Sequence, residues 1–199
     1  TGEVIGTTLK MESIQNTPPG GNNYMGENYI GGIVGRIQRV AVDSCKYIGS
    51  EGSEDYIKMN GHESPDSAFC GGIVGMIRTD GRDTASSVSN CEIKNAYVYG
   101  SATNVSNSYS DPDIYVGGIV ATQNGYERTD LANYGKITIG ANIKGGSCFV
   151  GGICYDGQYS KVWTRCHNHG DIEFTKEFTN TGNVRCGGII GKFETDGHY

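Results

Sequence analysis

The sequence predicts an all-β fold: a parallel β-helix, or β-solenoid, of about four to five GGIVG-type repeats. Three observations predict it. A glycine-paired phrase returns five times along the chain, and a second phrase recurs between its copies. Apolar residues alternate with period two, and no window carries the i, i+3, i+4, i+7 stripe of a helix.

The five copies read YIGGIVG from Tyr29, FCGGIVG from Phe69, YVGGIVA from Tyr115, FVGGICY from Phe149 and RCGGIIG from Arg185. Their leading glycines, Gly31, Gly71, Gly117, Gly151 and Gly187, are spaced by 40, 46, 34 and 36 residues. The second phrase reads DSCKYIG from Asp43, SNCEIKN from Ser89, LANYGKITI from Leu131 and RCHNHGDIEF from Arg165. Aligning its last two copies on Gly135 and Gly170 predicts a row of Cys45, Cys91, Leu131 and Cys166. Each repeat is then expected as one GGIVG strand, a variable loop, a second strand and a return segment. The unequal steps fall in the loops Glu51 to Asp66, Thr79 to Ser89 and Ser101 to Asp113, and insertions of this kind bulge outward from a solenoid. Strand character is read from Ile137, Ile139, Ala141 and Ile143, and from Cys91, Ile93, Asn95, Tyr97 and Tyr99. The segment 1–28 is expected as an N-terminal strand or cap, 29–191 as the repeats and 192–199 as the C-terminal end. The alternative at this period is a β-propeller, whose blades repeat at about 40–45 residues. Each blade needs four antiparallel strands, and only two strand phrases per repeat are readable.

Stacking in register predicts a ladder of like side chains, Ile33, Ile73, Ile119, Ile153 and Ile189, at the spacing of about 4.8 Å between strands. The paired glycines imply a bulge or a close backbone approach. Apolar residues on both parities of the phrase leave two readings open: a strand covered on both faces, or an alternation broken by the glycines. Tyr29, Phe69, Tyr115 and Phe149 share one position, which Arg185 takes in the fifth copy. They are expected either as a buried stack shielding the glycines or as an exposed aromatic strip for sugar rings. Tyr97, Tyr99, Tyr109, Tyr126, Tyr155 and Tyr159 form a second aromatic set placed in or near loops.

Composition narrows the function classes. Glycine supplies 32 of 199 residues, the net charge is −6, and no Lys/Arg cluster offers the basic field of a nucleic-acid binder. No apolar run approaches the ~20 residues of a membrane helix, so no membrane insertion is expected of this segment. Seven cysteines with no C-x-x-C spacing read as mostly buried thiols rather than a disulfide framework or a zinc site.

With these phrases in place, the chain resembles the GLUG-type repeats of bacterial cell-surface proteins. GGIVG followed by the spaced x-N-C-x-N-x-G-x-I phrase carries the resemblance from about Tyr29 to Gly191, with the closest copy between Phe149 and Phe174. Such repeats also occur beside immunoglobulin-A-cleaving metallopeptidases and in adhesin-like proteins. The resemblance implies an extracellular, bacterial-surface setting and a scaffold or adhesion role.

Candidate chemistry is sparse. In the Cys166-His167-Asn168-His169 run, a strand places the two histidines on one face and Cys166 on the other, which leaves a metal site short of ligands. His62-Glu63 lacks the second histidine of a zincin helix, since Asp66 stands there. Glu51, Glu54 and Asp55, and Asp111 and Asp113, read as loop charges rather than the paired carboxylates of a glycosidase or lyase. No catalytic residue, metal or cofactor is expected. The leading reading is therefore a non-enzymatic surface module, a stalk or adhesion surface contacting a host or cell-surface protein or glycan. The alternatives are a carbohydrate-active β-helix enzyme and a self-assembling structural protein, with end-to-end self-association through a solenoid edge.

Overall fold

The computed structural model describes residues 2–6, 9–12, 28–50, 55–62, 67–78, 86–103, 113–123, 127–140, 142–143, 147–156, 162–176, 178–180 and 182–192. Among them there is no helix, and every strand pairing is parallel. The antiparallel blades of a propeller are thus not formed among the described residues. The strands stack in four sheets, an arrangement consistent with a β-helix, or solenoid.

One turn of chain visits the sheets in fixed order. Sheet I contains Asn28–Gly31, Ser67–Gly71, Asp113–Gly117, Cys148–Gly151 and Val184–Gly187. Sheet II contains Val34–Ile37, Val74–Ile77, Val120–Gln123, Cys154–Asp156 and Ile190–Lys192. The main path of sheet III runs through Gly2–Ile5, Cys45–Ile48, Ser87–Lys94, Glu127–Asn133 and Val162–Asn168. That of sheet IV runs through Leu9–Glu12, Tyr56–His62, Tyr97–Thr103, Lys136–Ile139 and Ile172–Phe174. The segment 1–28 therefore supplies the first strands of sheets III and IV, paired with Cys45–Ile48 and Tyr56–His62. Of 192–199, only Lys192 is described.

The GGIVG phrase is two strands, not one. It runs out of sheet I at its first glycine, bends over the second glycine and the isoleucine, and enters sheet II at the following residue. Of the two readings left open for its apolar pattern, the broken alternation is the one formed. At this corner Ile33 N–H donates to Ile73 O, Ile73 to Ile119, Ile119 to Ile153 and Ile153 to Ile189, at 2.9–3.0 Å. Each accepting carbonyl also takes the N–H of the residue after the donor, as Ile153 O does from Val120 N–H at 3.0 Å. Ile73, Ile119 and Ile153 have no exposed surface.

Close approach explains the second glycine. A Cβ on Gly118 would land inside contact distance of the Gly152 carbonyl in the next turn and 2.6 Å from Asn133 Nδ2 across the core. Any larger residue would push one turn away from the next, or sheet I away from sheet III.

Sheet III bends once per turn at a residue in the left-handed region: Ser44 (φ 53°), Asn90 (51°), Asp130 (56°) and Arg165 (50°). The second phrase is the chemistry of that bend. The next row is Cys45, Cys91, Leu131 and Cys166, with Leu131 paired to Cys91 and Cys166. Each thiol donates across the bend to the carbonyl two residues back: Cys91 to Ser89 O at 3.0 Å, Cys45 to Asp43 O at 3.4 Å, Cys166 to Thr164 O at 3.6 Å. A small, apolar, weakly donating side chain suits a place where a carbonyl leaves the ladder inside the core. Further along, buried Asn133 donates to Asn168 Oδ1 at 2.7 Å and accepts the Gly135 N–H at 3.0 Å.

Candidate functional site

The outer face of sheet IV gathers aromatic and cationic side chains from three successive turns. Within each strand the pleat sends Ile57, Met59, Val98, Ile137 and Ile139 into the core, all at 2% exposure or less. The opposite parity therefore faces outward: Tyr56 and Lys58, Tyr97 and Tyr99, Lys136 and Thr138. In register, Tyr56, Tyr97 and Lys136 form one row, and Lys58, Tyr99 and Thr138 the next. These six residues line a cavity of about 330 Å³, at the small end of the ~300–1,000 Å³ usual for ligand sites.

The sequence alternation alone places Tyr97 and Tyr99 on the same face as Cys91 and Ile93. The chain instead leaves sheet III at Lys94, turns at Asn95 with φ 51°, and starts sheet IV at Tyr97. That left-handed residue resets the parity, so Ala96 and Val98 are buried and Tyr97 is 36% exposed. Of the other expected strand, Ile137 and Ile139 lie within Lys136–Ile139, which ends before Gly140; Ala141 lies outside the described residues.

The polar groups of the cavity are ordered by one another. Lys58 Nζ lies 4.5 Å from the Tyr99 ring centroid and 5.9 Å from that of Tyr56, within the ~6 Å range of a cation–π contact. Lys136 is ion-paired with Glu173, and the hydrogen bond it donates to that carboxylate raises the lysine pKa. Gly140 N–H donates to Gly100 O at 3.0 Å, and a Cβ on Gly140 would strike the Tyr99 hydroxyl, so glycine there makes room for the ring. Ring faces, phenol hydroxyls and ammonium groups on one surface are the chemistry of stacking and hydrogen bonding; none of the six is a carboxylate or thiol.

The other expected positions are placed as follows. Tyr29 and Phe69 stack at 5.2 Å, Phe69 and Tyr115 at 4.7 Å, and Tyr115 and Phe149 at 5.1 Å between centroids. Phe69 therefore has a ring on each side and is 4% exposed. Arg185 lies 5.8 Å from the Phe149 ring and continues the row into the fifth copy. Tyr155 is buried against this stack, 4.5 Å from Phe149. Tyr109, Tyr126 and Tyr159 lie outside the described residues, as do Glu51, Glu54, Glu63, Asp66 and Asp111. Asp55 accepts from Ser50 N–H, and Asp113 accepts from the Tyr115 hydroxyl at 3.2 Å and Ser147 N–H at 2.8 Å, so both hold local backbone or ring geometry.

His167 and His169 sit 6.0 Å apart between ring centroids, and His169 stacks on exposed Tyr134 at 4.7 Å. Among the described residues no three His, Cys, Asp or Glu side chains converge on a point that would take a metal ion. The cysteines are free thiols. Burial pushes Cys70 and Cys148 up to about 12 and Cys91 up to about 11, so these sulfurs are neutral across the physiological range.

Tyr56, Lys58, Lys136 and Thr138 were not visible as a set in the sequence. The signal that finds them is the row alignment of Tyr56, Tyr97 and Lys136, which needs the corner at Asn95. Compared with protein-family models, curated proteins and solved structures, the chain matches none.

Proposed function

We propose that the chain is a non-enzymatic repeat module of a bacterial cell-surface protein, a stalk or adhesion surface outside the cell, which binds carbohydrate on the outer face of sheet IV. The Tyr56, Lys58, Tyr97, Tyr99, Lys136 and Thr138 cavity carries the reading. Aromatic faces stack on the C–H faces of sugar rings, and hydroxyl and ammonium groups beside them meet sugar hydroxyls. The resemblance to GLUG-type repeats supports the surface setting. Sheets hydrogen-bonded through successive turns support the stalk, because each turn is fixed by its neighbours and projects the face at a set height.

A glycan array followed by titration of the hits tests it. Binding is expected in the micromolar to millimolar range, lost in Tyr97→Ala and Tyr99→Ala while the far-UV circular dichroism is retained. Retained glycan binding in both variants removes the site. New reducing ends or unsaturated products, with calcium present, replace the binding module by an enzyme.

A further inference from the structure

We propose that the sugar taken by this face is acidic, with the Lys58 ammonium meeting a carboxylate on a uronic acid ring that stacks on Tyr97 and Tyr99. The inference rests on the carbohydrate-binding reading above and adds the class of sugar.

The cation in the cavity carries the argument. Among the described residues, Lys46 is paired with Glu92, Lys136 with Glu173 and Arg165 with Asp130. Lys58 belongs to no such pair. Its ammonium is held instead over two tyrosine rings, at 4.5 and 5.9 Å, on a strand flanked in register by Tyr99. A cation–π contact satisfies one side of an ammonium and leaves its other N–H groups for an incoming acceptor. A carboxylate is the best such acceptor, because the bond is charge-assisted on both sides. A neutral sugar offers only hydroxyls, which leave the positive charge uncompensated.

The rest of the chain does not cancel this preference. The net charge is −6, but at physiological ionic strength fields from exposed charges fade over about 8 Å. The charges inside that distance decide: the lining of the cavity contains two lysines and no carboxylate, and the Glu173 and Asp171 carboxylates outside the lining act on Lys136. Glu173 stands one register step beyond Thr138 and is occupied by Lys136. It therefore sets how much of the second lysine's charge a ligand meets.

The test titrates the intact chain with tri-galacturonate, with the neutral galactose trisaccharide and with a sulfated galactose trisaccharide, at 50 and 300 mM salt. The uronate is expected to bind about tenfold more tightly than the neutral sugar, a difference of about 1.4 kcal/mol, and to lose affinity as salt rises. Lys58→Gln should collapse that ratio toward one, Lys58→Arg should keep most of it, and Glu173→Gln should raise uronate affinity severalfold. Equal affinity for the uronate and neutral sugars overturns the inference and leaves carbohydrate binding standing. Preference for the sulfated sugar over the uronate overturns the carboxylate assignment. Absence of binding to all three, with the array also blank, overturns the carbohydrate reading itself.

Discussion

Gly118→Ala and Gly188→Ala change the same position of the same phrase in different turns, and the structure predicts a large loss in one and little change in the other. On Gly118 the new methyl meets the Gly152 carbonyl of the next turn and lies 2.6 Å from Asn133 Nδ2; on Gly188 it meets nothing within 4 Å among the described residues. Relief at Gly118 requires the turns to separate, which strains a packed core by roughly 1–3 kcal/mol. It also loosens the bond from Gly118 N–H to Gly151 O at 3.2 Å, at about 0.5–1.5 kcal/mol. Stiffening of the unfolded chain returns roughly 0.4–1 kcal/mol. The net expectation is a loss of about 2 kcal/mol for Gly118→Ala and a change within about 0.5 kcal/mol for Gly188→Ala. Urea unfolding followed by circular dichroism reads both as shifts of midpoint at unchanged slope. Equal losses in the two variants would refute the close-approach account of the glycine pair.

Three further outcomes follow from the packing. Asn133→Ala should cost about 2–4 kcal/mol, because it strips the Gly135 N–H and Asn168 Oδ1 of their buried partner; a double-mutant cycle with Asn168→Ala should show coupling of at least ~0.5 kcal/mol, and strict additivity would contradict the pair. Asn95→Gly should be nearly neutral, whereas Asn95→Val, forced to φ 51°, should lose about 1–2 kcal/mol; similar stabilities would mean that the corner is not left-handed. The Cys70 and Cys148 thiols, pushed up to about 12 by burial, titrate near 8.5 when unfolded. Their contribution is whole below pH ~8.5 and is lost as pH rises toward 12. The urea midpoint should fall between pH 8 and 10, less steeply in Cys70→Ala/Cys148→Ala, and a flat profile counts against buried thiols.

The repeat frame was legible because stacking leaves a direct trace in sequence. Identical isoleucines recur because they occupy one rung position after another, and the row Cys45, Cys91, Leu131, Cys166 followed from aligning two glycines. The corners were not legible. GGIVG reads as one strand because its isoleucine and valine favour strands and a glycine pair also fits a bulge within one, yet the bend at the second glycine divides it between sheets I and II. CEIKNAYVY reads as one alternation because Asn95 breaks neither polarity nor spacing; only its backbone angle turns the following tyrosines outward. The candidate site went unread for the same reason. Lys58 and Lys136 are ordinary surface lysines in sequence, and become a site only when three turns of unequal length bring them beside Tyr97 and Tyr99.

The proposed binding face requires successive turns to lie parallel and in register. Nuclear Overhauser contacts in an isoleucine-labelled sample read this directly. Cross-peaks are expected in sequence from Ile33 to Ile73, Ile119, Ile153 and Ile189, each residue meeting only its neighbours in that order. Contacts that skip a turn, or an α-proton pattern of antiparallel pairs, would contradict the stacking and the shared face built on it.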